Sequence, residues 1–199
     1  MTSIFKTVLL GVAVVASTGA MADISNFTGP EMGATLAVST GKIKVSERNY
    51  DSSTSDTDIG LALHAGYGLE VSSEVAVLFG LDYNVSGVKA GKGNQQDGSQ
   101  KNIYFKNPYS LSVGVGKLIN ENTLGFAKVS YEAAKYSFET FKKDLSGFGL
   151  AAGARHMINK NTYLQGEFKY TKYTKATGVS MDNIEITNTQ FNFGVGYQF

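Results

Sequence analysis

Residues 185–199, EITNTQFNFGVGYQF, decide the fold. From Phe191 onward every second residue is apolar or aromatic (Phe191, Phe193, Val195, Tyr197, Phe199), with Asn192, Gly194, Gly196 and Gln198 between them. A β-strand sends successive side chains to opposite faces, so this strand has one greasy face and one small or polar face. The pattern fits the closing strand of a transmembrane β-barrel, greasy side to lipid and polar side to lumen. A soluble barrel or sandwich would hide the greasy face and leave an exterior rich in Gly and Ala, which solvates poorly.

The same pattern repeats upstream. Residues 66–83 read GYGLEVSSEVAVLFGLDY, 114–131 read GVGKLINENTLGFAKVSY, and 153–170 read GARHMINKNTYLQGEFKY. Each runs 18 residues from Gly to Tyr without a gap. Val71, Ile119 and Ile158 share a column, and a polar triplet follows each: SSE, NEN and NKN. Each unit reads as strand, tight turn, strand. In the third, the outward sets Phe148, Leu150, Ala152, Ala154 and Leu164, Gly166, Phe168, Tyr170 share one face only if the turn holds an odd number of residues. Asn159, Lys160 and Asn161 supply that number, and Asn tolerates the left-handed position such loops need.

Three tight turns join six strands. One strand precedes the first hairpin, near residues 30–45, and one follows the third. The expected fold is therefore all-β: a single eight-stranded antiparallel up-and-down transmembrane β-barrel, both termini on the periplasmic side with the short turns. Longer loops are expected on the other rim at about residues 47–57, 88–102, 141–146 and 176–183.

Composition agrees. The chain has 199 residues, 23 Gly, 2 Pro, no Cys, no Trp, 11 Tyr and 12 Phe. Residues 1–22 read as a cleaved secretory signal peptide: Lys6 supplies the charge, residues 8–16 the apolar run, and Ala20-Met21-Ala22 the cleavage site. The mature barrel domain then spans residues 23–199. That apolar run is too short to span a bilayer. Losing Lys6 leaves 17 basic against 17 acidic residues, and a neutral chain lacks the footprint of a nucleic-acid binder. Without Cys there are neither disulfides nor thiolate metal sites.

The spacing also assigns faces. About nine residues separate each turn from the Tyr83, Tyr131 and Tyr170 column, roughly 23 Å at ordinary strand rise and tilt. Those tyrosines, with Tyr109, are expected in the far aromatic girdle, and Tyr67, Tyr197 and Phe199 in the near one. The opposite face places Glu70, Asp82, Lys128, Glu132, Arg155, Glu167 and Lys169 in the lumen, with His64 and Gln165. Eight strands enclose a space just wide enough for side chains. A polar network centred on Lys128, Arg155 and Glu167, joined by Asp82, Glu132 and Lys169, is expected to plug it, with Arg155 opposite Gln165 or Glu167 and in reach of the latter.

Chemistry finds little purchase. Of two histidines, His64 is expected in the lumen and His156 on the lipid face near the turns, neither beside a Ser or acid at a suggestive spacing. No catalytic residue, cofactor or metal site is read from the chain. Lys117, outward and close to the turns, can snorkel to the interface.

The opening FTGPEMGA (27–34) resembles the aromatic-x-Gly-x-Tyr-x-Gly start of opacity-type, OmpX-like small outer-membrane barrels, with Glu31 where Tyr is usual and Phe27 where Trp is usual. Residues 153–173 look like that family's penultimate hairpin, and GVGYQF (194–199) is similar to its ending. The resemblance implies an eight-stranded barrel in the Gram-negative outer membrane. It also implies that the last strand, through Phe193, Val195, Tyr197 and Phe199, is read by the barrel-assembly machinery. No catalytic residues are inherited. The expected role is structural and surface-interacting: a monomer in outer-membrane lipid and lipopolysaccharide, meeting a host or cell-surface ligand through its loops and no nucleic acid. A narrow solute channel and a lipid-modifying enzyme are the alternatives.

Overall fold

A computed structural model describes residues 24–47, 50–94, 100–138, 141–176 and 184–199. A one-turn 3-10 helix, Ile24–Phe27, leads into β1 (Gly29–Glu47), β2 (Tyr50–Ser72), β3 (Val75–Asn84), β4 (Val88–Asn94), β5 (Gln100–Asn120), β6 (Thr123–Phe138), β7 (Phe141–Met157), β8 (Thr162–Ala176) and β9 (Ile184–Gln198). All pairings are antiparallel. The first strand pairs with the last, Glu31 opposite Gln198, and β3 pairs with β5, so the sheet closes on itself.

The nine segments make eight staves. β3 and β4 are one stave interrupted at residues 85–87, where Gly87 takes φ +69°. Both pair with β5, β3 with its lower part and β4 with its upper part. Above Ala62, β2 keeps a ladder only with β1 among the described residues. Leu61 closes that boundary through its amide to Ser86 Oγ (2.8 Å) and its carbonyl to the Val85 amide (2.9 Å).

The turn-side geometry follows from the repeat. The first two hairpins turn through residues 73–74 and 121–122, two residues each, and each has an irregularity at Val71 or Ile119. An even turn plus one bulged residue keeps the apolar face continuous, as an odd turn would. The third hairpin turns through Asn159, Lys160 and Asn161, closed by the Ile158 amide donating to the Thr162 carbonyl (2.9 Å). Asn159 Oδ1 accepts from the Asn161 and Thr162 amides (3.0 and 2.9 Å), and Asn120 Oδ1 from the Asn122 amide (3.1 Å). The polar triplets thus supply side-chain acceptors that hold the turns.

The apolar faces are outside. Phe168 and Phe193 are each 53 % exposed, and Leu36, Leu61, Leu111, Leu150 and Val195 lie on the same outer surface. Such a broad apolar exterior is the mark of a surface solvated by lipid.

The expected outer loops are corrected. Residues 50–57, 88–94, 100–102 and 141–146 are strand, while residues 48–49, 95–99 and 177–183 lie outside the described residues. Polarity suggested loops there. Above the lipid the outer strand face meets water, so polar residues there are compatible with a ladder and the hairpins continue.

The filled bore as candidate functional site

The bore is layered. Its floor, at the turn end, is apolar: Ile24 and Phe27 of the 3-10 turn pack with Ala76, Leu78, Leu118, Leu124, Phe126, Met157 and Tyr163. Its upper part is apolar again, with Phe105, Ala134, Leu145, Tyr173 and Ile186 together and Phe105 and Tyr173 rings 5.3 Å apart. Between them lies a buried ionic layer. The sequence reading places a polar network in the lumen and does not anticipate these apolar ends. Alternation alone fixes which face is inward, and inward residues near either end of the bore are free to be apolar.

The ionic layer is built by pairing long side chains with small ones. Across the ladders, Glu31 lies opposite Gly66, Lys128 opposite Gly114 and Ala151, Glu132 opposite Gly147, Glu167 opposite Gly153 and Lys169 opposite Ala151. Space in an eight-stranded bore is scarce, so these extended charges lie beside neighbours without bulk; Arg155, between Leu124 and Gln165, is the exception. A Cβ on Gly66 would stand 2.5 Å from Glu31 Oε1, and one on Gly80 2.6 Å from Ser112 Oγ. The Gly- and Ala-rich inner face read from the sequence is the volume these charges occupy.

The contacts run as a chain. Arg155, 1 % exposed, donates from Nε to Gln165 Oε1 (2.6 Å) and through a terminal nitrogen to Glu31. The other Glu31 oxygen lies 2.9 Å from His64 Nε2, and His64 Nδ1 lies 2.9 Å from Asp82 Oδ1. Ser110 Oγ donates to Asp82 Oδ2 (3.0 Å). With a carboxylate on each ring nitrogen, only the imidazolium donates to both. A second pair joins Lys128 Nζ to Glu167 Oε2 at 2.5 Å, an ion contact without hydrogen-bond alignment, while Asn192 donates to Glu167 Oε1 (3.1 Å). A third joins Lys169 to Glu132 (3.2 Å), whose Oε1 also accepts from Ser130 (2.6 Å). The Arg155 guanidinium sits 4.9 Å from the Tyr163 ring and 5.5 Å from Phe126; Lys128 sits 5.0 Å from Phe126. Four cations, with His64 charged, face four carboxylates. A buried layer of charges survives in low dielectric only when balanced in this way.

The sequence-derived residues fall as follows. Lys128, Arg155, Glu167, Glu132, Lys169 and Asp82 all face the bore and share this layer. Arg155 is paired with Gln165 across the ladder, and its carboxylate partner is Glu31 rather than Glu167. Glu70 is exposed at the turn rim and stands apart. His156 is exposed, its Nδ1 2.9 Å from Thr123 Oγ1, and Lys117 reaches Glu74 at 4.0 Å. Tyr67, Tyr83, Tyr109, Tyr131, Tyr170, Tyr197 and Phe199 are exposed on the outer surface. Tyr131 meets Phe148 edge-on at 5.9 Å and Tyr197 meets Phe199 at 5.0 Å. Sequence reading missed Glu31 and the plugging role of Ile24 and Phe27. Glu31 was legible by parity, two residues before Gly33 on the inner face of β1.

Among the described residues two interior spaces accompany the layer, about 30 Å³ beside Asp82, Glu132 and Lys169 and about 10 Å³ beside His64, Tyr163 and Gln165. Each holds a water or two at most. Among the described residues no group of three or more His, Cys, Asp or Glu is placed to hold a metal ion.

A closed, lipid-facing cylinder with a packed ionic bore defines a small outer-membrane-type β-barrel. The chain belongs to the outer membrane protein beta-barrel domain family, whose description matches residues 7–199. That family places it in the Gram-negative outer membrane. No curated protein sequence matches it. Among solved structures it is similar to the outer membrane protein AlkL (16 % identity, TM-score 0.57, covering 92 % of this chain and 94 % of AlkL). It is also similar to OprG from Pseudomonas aeruginosa (11 %, 0.50, 91 % and 99 %). A third is Ail, the attachment invasion locus protein of Yersinia pestis (15 %, 0.46, 86 % and 99 %). At these identities the likeness to AlkL and OprG shows the fold alone.

Proposed function

We propose that the protein is a non-catalytic, structural and surface-interacting component of the outer membrane, a plugged rod that presents its outer hairpins to the surroundings. The observation that carries this reading is the bore: among the described residues, an apolar floor, a balanced ionic layer and interior spaces of about 30 and 10 Å³ beside it. A filled lumen leaves the outer rim as the part free to specify a partner, because the barrel beneath is a rigid mount. The upper strands support the reading by carrying the wall well beyond the aromatic column: β2 runs 23 residues, about twice what a bilayer crossing requires.

In the same reading residues 1–22 are removed on export and the mature chain begins at Asp23, directly before the plug residue Ile24. Intact mass of protein extracted from outer membranes checks this. The last strand directs assembly, and the chain works as a monomer.

The deciding experiment has two arms. Purified protein in planar bilayers is expected to give no conductance above background; steady single-channel steps would replace the plugged rod with a narrow channel. Cells expressing variants with residues 88–102 shortened to a tight turn are expected to lose binding to host or neighbouring cells while keeping a folded barrel. Unchanged adhesion across such deletions at every outer hairpin would refute the surface role.

A further inference from the structure

One concavity lies outside the barrel. A groove of about 710 Å³ crosses the outer surface of β5–β8, lined by Leu111, Val129, Tyr131, Phe148, Leu150 and Tyr170, with Lys172 at its upper end. Its volume falls within the range of ligand sites, roughly 300–1,000 Å³, and its walls are apolar and aromatic.

Charge on the outer surface above the tyrosine column is one-sided. Among the described residues, the outward and exposed ionic side chains there are Lys42, Lys44, Lys106, Lys135 and Lys172 against Asp144 and Glu185. Lys106 lies directly opposite Lys135 across β5–β6, a like-charge pairing that is unfavourable unless an anion comes between. Lys135 also faces Asp144 across β6–β7. Beside the groove, one cross-strand row reads Phe148, Lys172, Thr187, Lys42 over β7, β8, β9 and β1. Lys172 and Lys42 therefore flank Thr187 from either side, roughly 10 Å apart at the backbone. Lys172 reaches Glu185 at 3.5 Å, both more than half or nearly half exposed. An exposed pair of that kind is weak and does not keep the ammonium from a stronger anion.

We propose that this face holds one phosphorylated, multiply acylated lipid of the outer leaflet. An acyl chain lies in the groove between Tyr131, Phe148 and Tyr170, and a headgroup phosphate sits over Thr187 between Lys42 and Lys172. The chemistry that selects the ligand is the combination: the groove takes a hydrocarbon chain, the lysines an anion, and the two adjoin at Phe148. The site is independent of what the outer hairpins bind, so failure of the adhesion reading leaves it standing.

The test uses the full mature barrel in zwitterionic detergent, with native mass spectrometry as readout because the chain has no Trp to report binding. Bis-phosphorylated lipid A is titrated alongside its dephosphorylated form and its deacylated, still phosphorylated disaccharide. One lipid A is expected to be retained, with the other two compounds bound at least tenfold more weakly. The double variant K42Q/K172Q is expected to lose roughly 30-fold in retention, the effect of removing two near-surface lysines. K117Q, at the opposite rim, is expected to bind like the parent chain. Heat-modifiable gel mobility verifies that each variant is folded. Equal retention of the dephosphorylated lipid, equal binding of the deacylated disaccharide, or an unchanged K42Q/K172Q barrel would each overturn the proposal.

Discussion

At the scale of single residues, Glu31 is the joint of the bore. It holds Arg155 with one oxygen and His64 with the other, across 124 and 33 positions of sequence. Removing one member of a buried ionic set leaves its partners charged and unpaired. Glu31→Gln is therefore expected to destabilise the barrel by about 3–5 kcal/mol, measured by urea unfolding in lipid vesicles. Adding Arg155→Met to that variant is expected to recover part of the loss, since the stranded cation is gone. Gly66 is the complementary case. Its added Cβ would meet Glu31 Oε1 at 2.5 Å and the Phe79 carbonyl at 2.7 Å. Gly66→Ala is expected to cost about 1–3 kcal/mol by overpacking, in the same unfolding assay.

At the scale of elements, the interrupted third stave and the lead turn are the informative pieces. Gly87 joins β3 to β4 with φ +69°, where a β-branched residue is strained. Gly87→Val is expected to cost about 1–2 kcal/mol and to speed amide exchange in β4 and the upper part of β5, while β3 keeps its protection. Phe27, packed into the floor, is expected to cost about 3–5 kcal/mol when cut to Ala, checked by the shift in unfolding midpoint. How far the sequence carries differs between these elements. The hairpins were legible because the period-2 alternation and the 18-residue repeat are local signals. So was the inward set Lys128, Arg155, Glu167, because parity fixes the face. The partner of Arg155 was not legible: Glu31 reaches it across the bore, and that contact depends on the stagger accumulated around the barrel. The ends of the strands were misjudged for a different reason. Ser-, Thr- and Asp-rich segments signal turns, yet the same residues suit a ladder whose outer face meets water.

At the scale of the whole molecule, closure depends on the ends of the chain. Gln198 donates to the carbonyls of Thr28 (2.8 Å) and Pro30 (3.0 Å), and the Phe199 amide donates to Pro30 (2.9 Å). Deleting Phe199 removes one of these bonds and an outer aromatic contact with Tyr197. The truncated chain is expected to reach the heat-modifiable, folded form in the outer membrane several-fold less than the intact chain, read from gel mobility of membrane fractions. A variant that assembles at the parent level would show that the terminal aromatic does not guide insertion.

The length of β2 has a geometric consequence for the cell surface. Twenty-three residues at ordinary rise and tilt stand roughly 58 Å tall, against an apolar band of roughly 25 Å. About half of the stave is therefore a chimney above the acyl layer, stiffened by backbone ladders rather than trailing as coil. Whatever docks against the upper part of the described ladder is met up to roughly 30 Å from the hydrocarbon by paired strands, which lose little ordering entropy on contact.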